Sequence, residues 1–362
     1  MNLLRITCIA LLFANALNAQ TGHSKKIAVI GYYAGNASRV DSFPIEKLTH
    51  IIFSFTHLKG NELWVNNQRD TATIQKLVSL KQRNPSLKVI LSLGGWGGCQ
   101  TCSPVFATAK GRRVFAKSVK HINSYFKTDG IDLDWEYPAI SGFPGHEYAQ
   151  ADKQNFTSLI KKLRKKLGHK NEISFAAGGF TQFLQRSVEW QKVAPVVDKI
   201  NLMTYDLVSG NSTTLGHHTP LYSTPQQIES TDHAVKYLES IGVPPGKLVI
   251  GAAFYGRIFD VDEDMNNGLY QKGKFNKGVS FSKLDKDTLA VEGFKYYWDD
   301  VAKAPYMYSS AKKQLLTYDD EQSIMLKTKY ALDNHLGGIM FWQLSDDKFT
   351  NGLLDTIDSA LR

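Results

Sequence analysis

The stretch Asp129-Gly130-Ile131-Asp132-Leu133-Asp134-Trp135-Glu136-Tyr137-Pro138 has the character of a short buried strand bounded by Gly and Pro, yet three of its carboxylates stand at spacing two. Side chains alternate across a strand, so Asp132, Asp134 and Glu136 share one face, each ~6.6 Å along the chain from the next. Buried like charges this close cannot all ionise cheaply, so at least one should keep its proton near neutral pH. The stretch therefore predicts a general acid.

A second interpretation of this stretch is an acidic turn or a cation site built from hard oxygen ligands. A Ca²⁺-binding loop has its own spacing of glycine and carboxylates, and Trp135-Glu136-Tyr137-Pro138 does not fit it. We therefore favour a chemical role for the three carboxylates.

The acidic strand is one of eight apolar, β-rich segments, which lie at Lys26–Tyr33, Thr49–Phe55, Lys88–Gly94, Gly130–Glu136, Glu172–Gly178, Lys199–Tyr205, Leu248–Tyr255 and Gly338–Gln343. Helical periodicity occurs between them, at Thr71–Asn84, Ala109–Lys127, Asp152–Leu167, Pro225–Ile241 and Glu321–His335. Eight such units without a GxGxxG turn predict an α/β fold of the (β/α)8 TIM barrel type rather than a doubly wound sheet.

One interval interrupts the alternation of strands and helices. More than sixty aromatic-rich residues separate Tyr255 from Glu321, which is too long for a structureless loop. We predict a small α+β insertion between strands seven and eight, over residues 258–320, within a catalytic barrel of residues 20–362.

The first residues have the features of a secretory signal peptide. Arg5 gives a positive start, residues 6–17 form an apolar run, and Ala14-Asn15-Ala16 or Leu17-Asn18-Ala19 offers a cleavage site. The apolar run is too short to span a bilayer. We predict that residues 1–19 are a signal peptide and that the mature protein is secreted, extracellular or periplasmic, with no membrane attachment.

The remaining cysteines lie in Cys99-Gln100-Thr101-Cys102. In a cytosolic protein this spacing would indicate a redox motif or half of a zinc site. The sequence has no second cysteine pair for zinc, and export favours a short local disulfide between Cys99 and Cys102.

The formal net charge is +9, which is compatible with binding to nucleic acid, membranes or acidic polysaccharide. The densest basic cluster, residues 161–166, however, interrupts an apolar stripe at helical spacing. We predict that this cluster is the solvated face of a helix, and we expect no nucleic-acid partner.

Polar and aromatic residues occur where five of the predicted strands end, which in a TIM barrel is the face that carries chemistry. These segments are Ser92-Leu93-Gly94-Gly95-Trp96, the acidic stretch, Met203-Thr204-Tyr205-Asp206, Tyr255-Gly256-Arg257 and Phe341-Trp342-Gln343. Each alone could be packing, but together they indicate one active-site rim.

The sequence resembles the family 18 glycoside hydrolases, the chitinases. The acidic stretch matches their DxxDxDxE signature at Asp129, Asp132, Asp134 and Glu136, and residues 92–95 match the SxGG motif. The Tyr-Gly-Arg and Met-x-Tyr-Asp segments and Trp342 also match. The resemblance implies retaining hydrolysis of β-1,4 linkages between N-acetylglucosamine units of chitin and chito-oligosaccharides, through an oxazolinium intermediate formed by the substrate itself.

The resemblance also implies roles for individual residues. Glu136 would be the general acid, Asp134 would orient the acetamido group, and Asp132 would share a proton with it from behind. Tyr205 would donate a hydrogen bond to the acetamido carbonyl. The substrate cleft would be lined by Tyr32, Phe55, Gly95, Trp96, Met203, Asp206, Tyr255, Arg257 and Trp342. No cofactor or metal is implied, and we expect a monomer.

Three other functions stay open at this point. A chitin-binding, lectin-like barrel would lack the acid, whereas Glu136 is present. An endo-β-N-acetylglucosaminidase acting on glycoprotein glycans would use the same catalytic residues. A metal-dependent hydrolase is disfavoured because His217-His218 is the only close histidine pair and no HExxH spacing occurs.

Overall fold

The structure is a computed structural model that describes residues 27–362, so the predicted signal peptide lies outside the described residues. The strands are β1 (Ala28–Tyr33), β2 (His50–Lys59), β3 (Glu62–Trp64), β4 (Lys88–Gly94), β5 (Gly130–Asp134), β6 (Glu172–Gly178), β7 (Lys199–Met203), β8 (Leu248–Ala253), β9 (Tyr255–Val261), β10 (Gly273–Ser280), β11 (Lys295–Asp299), β12 (Ala304–Ser309), β13 (Gln314–Thr317) and β14 (Gly338–Trp342). The α-helices are α1 (Gln68–Ser79), α2 (Cys102–Ala107), α3 (Ala109–Phe126), α4 (Asp152–Leu167), α5 (Thr181–Arg186), α6 (Trp190–Val193), α7 (Thr231–Ser240), α8 (Lys286–Val291), α9 (Glu321–Asp333) and α10 (Leu353–Ala360).

Eight parallel strands close into a barrel. They pair in the order β1-β2-β4-β5-β6-β7-β8-β14, and β14 pairs with β1 to complete the ring. At least one α-helix lies in each connection from β2 onward, whereas the connection from β1 to β2 contains only two short 3₁₀ segments. The predicted (β/α)8 barrel is therefore confirmed.

Apolar side chains pack on both sides of the barrel wall. Inside the barrel lie Ile30, Ile52, Ile90, Val249 and Met340, all nearly inaccessible to solvent. A larger apolar layer fills the space between the barrel and its helices. On α4 the lysines of the basic cluster face solvent while Leu163 and Leu167 are buried, as the helical periodicity predicts. Arg164 departs from the prediction, because its side chain is mostly buried and pairs with Asp198.

Several barrel strands end earlier than predicted. β5 ends at Asp134, whose carbonyl accepts from Gly95 N, so Glu136 stands in the loop beyond the strand. β8 ends at Ala253, and Phe254 N donates to Trp342 O before the chain leaves the barrel. Of the residues predicted to close these strands, Glu136 therefore stands in the loop after β5, and Tyr255 is the first residue of β9.

The interval after β8 forms a second sheet. Its five antiparallel strands run in the order β10-β9-β13-β12-β11, and the short helix α8 lies among them in the chain. Its own apolar cluster includes Phe259, Tyr306, Tyr308 and Leu315. The assignment of residues 258–320 as a separate subdomain stays a prediction.

A buried carboxylate links strands at the amino-terminal end of the barrel. Glu172, the first residue of β6, accepts from Lys88 Nζ at 2.7 Å and Lys199 Nζ at 2.8 Å, and His50 Nε2 lies 3.1 Å away. Burial alone would raise the pKa of Glu172, but His50 and Lys199 outweigh it and hold this pKa well below its usual range.

We expect Glu172→Gln to lower the free energy of unfolding by about 2–3 kcal/mol at pH 7, because hydrogen bonds to a charged acceptor are lost. The folded-state pKa lies below the unfolded value of about 4.3, so the stabilisation is complete above that pH and declines as the pH falls. Urea unfolding at pH 7 and pH 3 should show a difference between variant and wild type that narrows at pH 3. A constant difference would contradict the assignment.

Among residues 27–362, no helix combines the length and the apolar character needed to cross a membrane.

Candidate active site

A cleft of about 810 Å³ opens at the carboxyl-terminal ends of the barrel strands. The predicted site residues that line it are Phe55, Trp96, Asp134, Glu136, Met203, Tyr205, Asp206, Tyr255, Arg257 and Trp342. The rim segments identified from the sequence are therefore brought together in one concave surface, the usual form of a small-molecule or polymer site.

Asp132 lies below the cleft, in the barrel interior. Its carboxylate accepts from Ser174 Oγ at 2.6 Å, Ser92 Oγ at 2.8 Å, Tyr32 Oη at 3.2 Å and Asn201 Nδ2 at 3.2 Å. Burial raises the pKa of Asp132, and these four donors counteract that effect. The donors favour the ionised form, but burial has the larger effect, so the pKa of Asp132 stays above its usual value.

Tyr32 and Gly95, which were also predicted to line the cleft, are buried. Tyr32 is only 1% exposed, because its hydroxyl points inward to Asp132 and Asn201. Gly95 is also buried, and a Cβ there would approach the Phe55 ring to 2.3 Å. Both residues therefore lie beneath the cleft surface, and their contact with substrate stays a prediction.

Asp134, the last residue of β5, lines the cleft but is only 4% exposed. Its Oδ1 atom is buried, and no donor among the described residues reaches it. Burial raises the pKa of Asp134 well above its usual range, and the neighbouring Glu136 and Asp132 charges add to the effect. One oxygen of this cleft residue is thus left without a hydrogen-bond partner among residues 27–362.

Glu136 lies two residues beyond β5 and faces the cleft. Burial raises its pKa to about 7, with an opposing effect from the Tyr137 hydroxyl and a supporting one from the Asp206 charge. A carboxyl group with this pKa holds a proton near neutral pH and can transfer it, as general acid catalysis requires.

Asp206 forms the charged wall of the cleft. Its carboxylate accepts from Arg257 Nε at 2.5 Å and Tyr255 Oη at 2.7 Å, and His218 Nδ1 lies 3.5 Å away. Burial alone would raise the pKa of Asp206, but His218 and Arg257 hold it well below its usual range. Asp206 is therefore a permanent anion beside Glu136.

Tyr205 contributes a hydroxyl group that is held only weakly by the protein. Its one described partner is the sulfur of Met340, 3.9 Å away, and a thioether is a weak acceptor. Burial raises the pKa of Tyr205 well above its usual range, so the phenol stays protonated. Its hydroxyl is available to donate to a carbonyl in the cleft.

Aromatic rings form the floor and one end of the cleft. Trp342 stacks on Phe55 with ring centroids 5.5 Å apart and an interplanar angle of 14°. Trp96 is 52% exposed and meets Phe143 edge-on at 5.6 Å and Tyr137 at 6.4 Å. Flat apolar surfaces of this kind suit the faces of sugar rings.

The sequence reasoning did not identify several residues of the site. Cleft residues from loops are Tyr137, Phe180, Leu207, Ser209, Gly210, Asn211 and Glu229, and Gln182 comes from the first turn of α5. Two donors to Asp132 that were also not identified, Ser174 and Asn201, lie inside apolar strands, whereas the third, Ser92, belongs to a segment predicted for the rim. A polar residue within a buried strand is a usable signal for such donors, whereas the loop residues carry none.

The loop after β4 contains the two cysteines. Cys99 and Cys102 are buried, with sulfur atoms at bonding distance and Cα atoms 5.2 Å apart. We expect reduction to loosen this loop without unfolding the barrel, because the bond closes too short a loop for a large entropic gain. Mass spectrometry after alkylation of the native, unreduced protein checks the bond, and labelling of both thiols would show that it is absent.

Comparison with known proteins gives the family. The family model "Glycosyl hydrolases family 18" matches residues 28–347. Chitinase A1 of Niallia circulans is 37% identical over 78% of this chain and 44% of its own length. Chitinase B of Serratia marcescens is 30% identical over 92% of this chain and 84% of its own length.

Among solved structures, a family 18 N-acetylglucosaminidase of Paenibacillus barengoltzii is similar with a TM-score of 0.84 and 33% identity, over 92% of this chain and 100% of that one. The chain spans less than half the length of the first curated relatives that it matches. The family model nevertheless covers most of the sequence, the barrel and the acidic strand. This chain belongs to glycosyl hydrolase family 18.

Proposed function

We propose that this chain is a chitinase, which hydrolyses β-1,4 linkages between N-acetylglucosamine units of chitin and chito-oligosaccharides. The observation that carries the proposal is the pair of buried carboxyl groups in the cleft: Glu136, whose pKa burial raises to about 7, and Asp134, whose Oδ1 has no hydrogen-bond partner among the described residues. An acetamido N–H is the donor that would satisfy this oxygen. The names of the similar chitinases and of the similar N-acetylglucosaminidase support the same sugar.

The mechanism that fits these groups uses the substrate as its own nucleophile. Glu136 would donate its proton to the glycosidic oxygen as the bond to the anomeric carbon breaks. The N-acetyl oxygen of the same sugar would bond to that carbon and form an oxazolinium ion with release of the leaving sugar. A nucleophile held within the same ring gains a large effective concentration.

Asp134 and Tyr205 would hold the acetamido group in line for this attack. Asp134 would accept from its nitrogen and stabilise the positive charge that develops there, with Asp132 behind it to share its proton. Tyr205 would donate to its oxygen. Glu136, now ionised, would then take a proton from water. The water oxygen adds to the anomeric carbon as its bond to the acetamido oxygen breaks, which opens the oxazolinium ring with overall retention.

We expect Asp134→Asn to reduce kcat by about 10²–10³-fold, because the charge that stabilises the oxazolinium ion is lost. The pH profile should also simplify, since Asp134 and Glu136 would titrate as a coupled pair in the wild type and Glu136 alone in the variant. The measurement is kcat against pH for both proteins. An unchanged profile would contradict the coupling.

Product analysis tests the substrate. Mass spectrometry should find chito-oligosaccharides released from insoluble chitin, and no comparable release from glycoprotein glycans or peptidoglycan assayed in parallel. Cleavage of the glycans alone would favour an endo-β-N-acetylglucosaminidase, while binding without cleavage would favour a lectin-like barrel. Activity abolished by a chelator would favour a metal-dependent hydrolase.

The proposed setting of the enzyme follows from the sequence. Removal of residues 1–19 as a signal peptide would export a monomer that needs no cofactor and meets chitin outside the cell. The catalytic barrel would span residues 20–362, with residues 258–320 as its inserted subdomain. Amino-terminal sequencing of the exported protein would locate the cleavage site.

A further inference from the structure

A buried ion pair lies behind the cleft wall. Lys327 of α9 and Asp319, just before this helix, both have fully buried side chains, with Nζ and Oδ2 2.7 Å apart. Lys327 Nζ also donates to the carbonyl and hydroxyl oxygens of Thr219, at 2.8 and 2.6 Å. All three donors of the ammonium group are therefore used inside the protein.

Hydrogen bonds connect the Lys327–Asp319 pair to two chain segments that contribute residues to the cleft. Asp319 Oδ2 accepts from Ala253 N at 3.0 Å, at the end of β8. Thr219 Oγ1 lies 3.1 Å from Thr204 O, and Leu207 N donates to His218 O at 3.0 Å. The segment at residues 218–219 thus runs beside residues 204–207, and Lys327 fixes it from behind.

The backbone of residues 204–207 has an unusual conformation at Asp206. Asp206 has a φ of 56°, in the left-handed region that residues other than glycine rarely adopt. Such conformations persist only where the surroundings enforce them. Thr204 adds to this restraint, because its hydroxyl bonds to both the N–H and the carbonyl of Gly251.

We propose that Lys327 and Asp319 are positioning residues, which act through Thr219 to hold Tyr205 and Asp206 in the geometry that the reaction requires. The proposal rests on the proposed function. Neither residue lines the cleft, so neither would touch the substrate. A buried ion pair is costly to desolvate and is often no better for stability than apolar residues of the same volume. The role that we propose for the Lys327–Asp319 pair is therefore to fix the positions of Tyr205 and Asp206, beyond any contribution to stability.

Two variants test the proposal. Thr219→Val removes one hydroxyl and keeps the side-chain shape, while Lys327→Met with Asp319→Asn removes both charges together. On a fluorogenic chitobioside, each should lose about tenfold or more in kcat, because small displacements of catalytic groups are costly. KM should change by less than about threefold, since the stacking surfaces at Trp342 and Trp96 are untouched.

Matched controls separate positioning from stability. Glu172→Gln breaks a buried charge network at the opposite end of the barrel, and Lys329→Met removes an exposed lysine from the same helix as Lys327. We expect wild-type kcat from both controls at a temperature where all variants are folded. Wild-type kcat in Thr219→Val would overturn the proposal, even if the double variant fails to fold.

A crystal structure of Thr219→Val gives a readout that is independent of activity. We expect residues 204–206 to shift relative to β7 and β8, and an unmoved segment would overturn the proposal. Absence of hydrolysis by the wild-type protein on any chito-oligosaccharide would instead contradict the proposed function. The two failures are therefore distinguishable.

Discussion

Glu136→Gln is expected to abolish hydrolysis of chito-oligosaccharides while leaving the fold and ligand binding almost intact. The amide has nearly the same shape as the protonated carboxyl group but cannot release a proton to the glycosidic oxygen. General acid catalysis contributes about 10²–10⁴-fold, and the loss should be larger here because the same group would also activate water. The measurement is kcat on chitohexaose, with binding followed by calorimetry.

The pH dependence of the wild type provides a second check on Glu136. A general acid must be protonated, and burial raises the pKa of Glu136 to about 7. Activity should therefore fall as the pH rises above that value. Asp206→Asn should move this alkaline limb to lower pH, because the Asp206 charge helps to keep the proton on Glu136.

A matched control for Glu136→Gln is Glu147→Gln, an exposed residue in the loop after β5. It should retain wild-type activity. If Glu136→Gln kept more than about a tenth of wild-type turnover, another group would have to supply the proton.

The sequence was sufficient to predict the barrel because its strands and helices alternate with clear periodicity. The acidic residues at spacing two were sufficient to predict a general acid. The ring of eight strands and the cluster of rim residues follow from that pattern. Asp132, Asp134 and Glu136 do come from one strand and the turn after it. Their different environments could not be read from spacing, because these depend on residues from other strands.

Tyr32 illustrates what local pattern leaves undetermined. It stands near the end of a strand, like the cleft residues, but its hydroxyl turns inward because Asp132 and Asn201 meet it in the barrel interior. Ser92 and Ser174 reach the same carboxylate from two neighbouring strands. Ser92 and Ser174 are register partners of Asp132 on adjacent strands, whereas Tyr32 and Asn201 come from β1 and β7 and meet it across the closed barrel. One-dimensional periodicity cannot assign either set of contacts.

The cleft residues that lie beyond the strand ends were the hardest to predict, because local sequence pattern does not fix their positions. Gln182, Asn211 and Glu229 come from three separate segments at or beyond strand ends, where no repeat of apolar residues constrains the chain. The helix predicted to start at Pro225 begins instead at Thr231, because the Ser230 side chain caps it by accepting from His233 N. Glu229 is thereby left in the loop, where it lines the cleft.

Hydrolysis should require an N-acetyl group on the sugar whose anomeric carbon is attacked, because the acetamido oxygen would be the nucleophile. Cellohexaose has the same β-1,4 backbone with a hydroxyl group in that position, and fully deacetylated chitosan has an amine. Both can stack on the aromatic floor of the cleft, but neither supplies the attacking oxygen. We expect no detectable cleavage of either under conditions in which chitohexaose is consumed completely.

Two further measurements separate this mechanism from one that uses a protein nucleophile or direct attack by water. Nuclear magnetic resonance of early products should show the β-anomer first, since two inversions at the same carbon give retention. A non-hydrolysable thiazoline, which mimics the oxazolinium ion, should bind far more tightly than the substrate, as analogues of high-energy states do. Initial release of the α-anomer, or cleavage of cellohexaose, would overturn the mechanism even with the barrel and the acidic strand in place.

Asp134→Asn should weaken thiazoline binding more than substrate binding, because the charge on the intermediate is what Asp134 would stabilise.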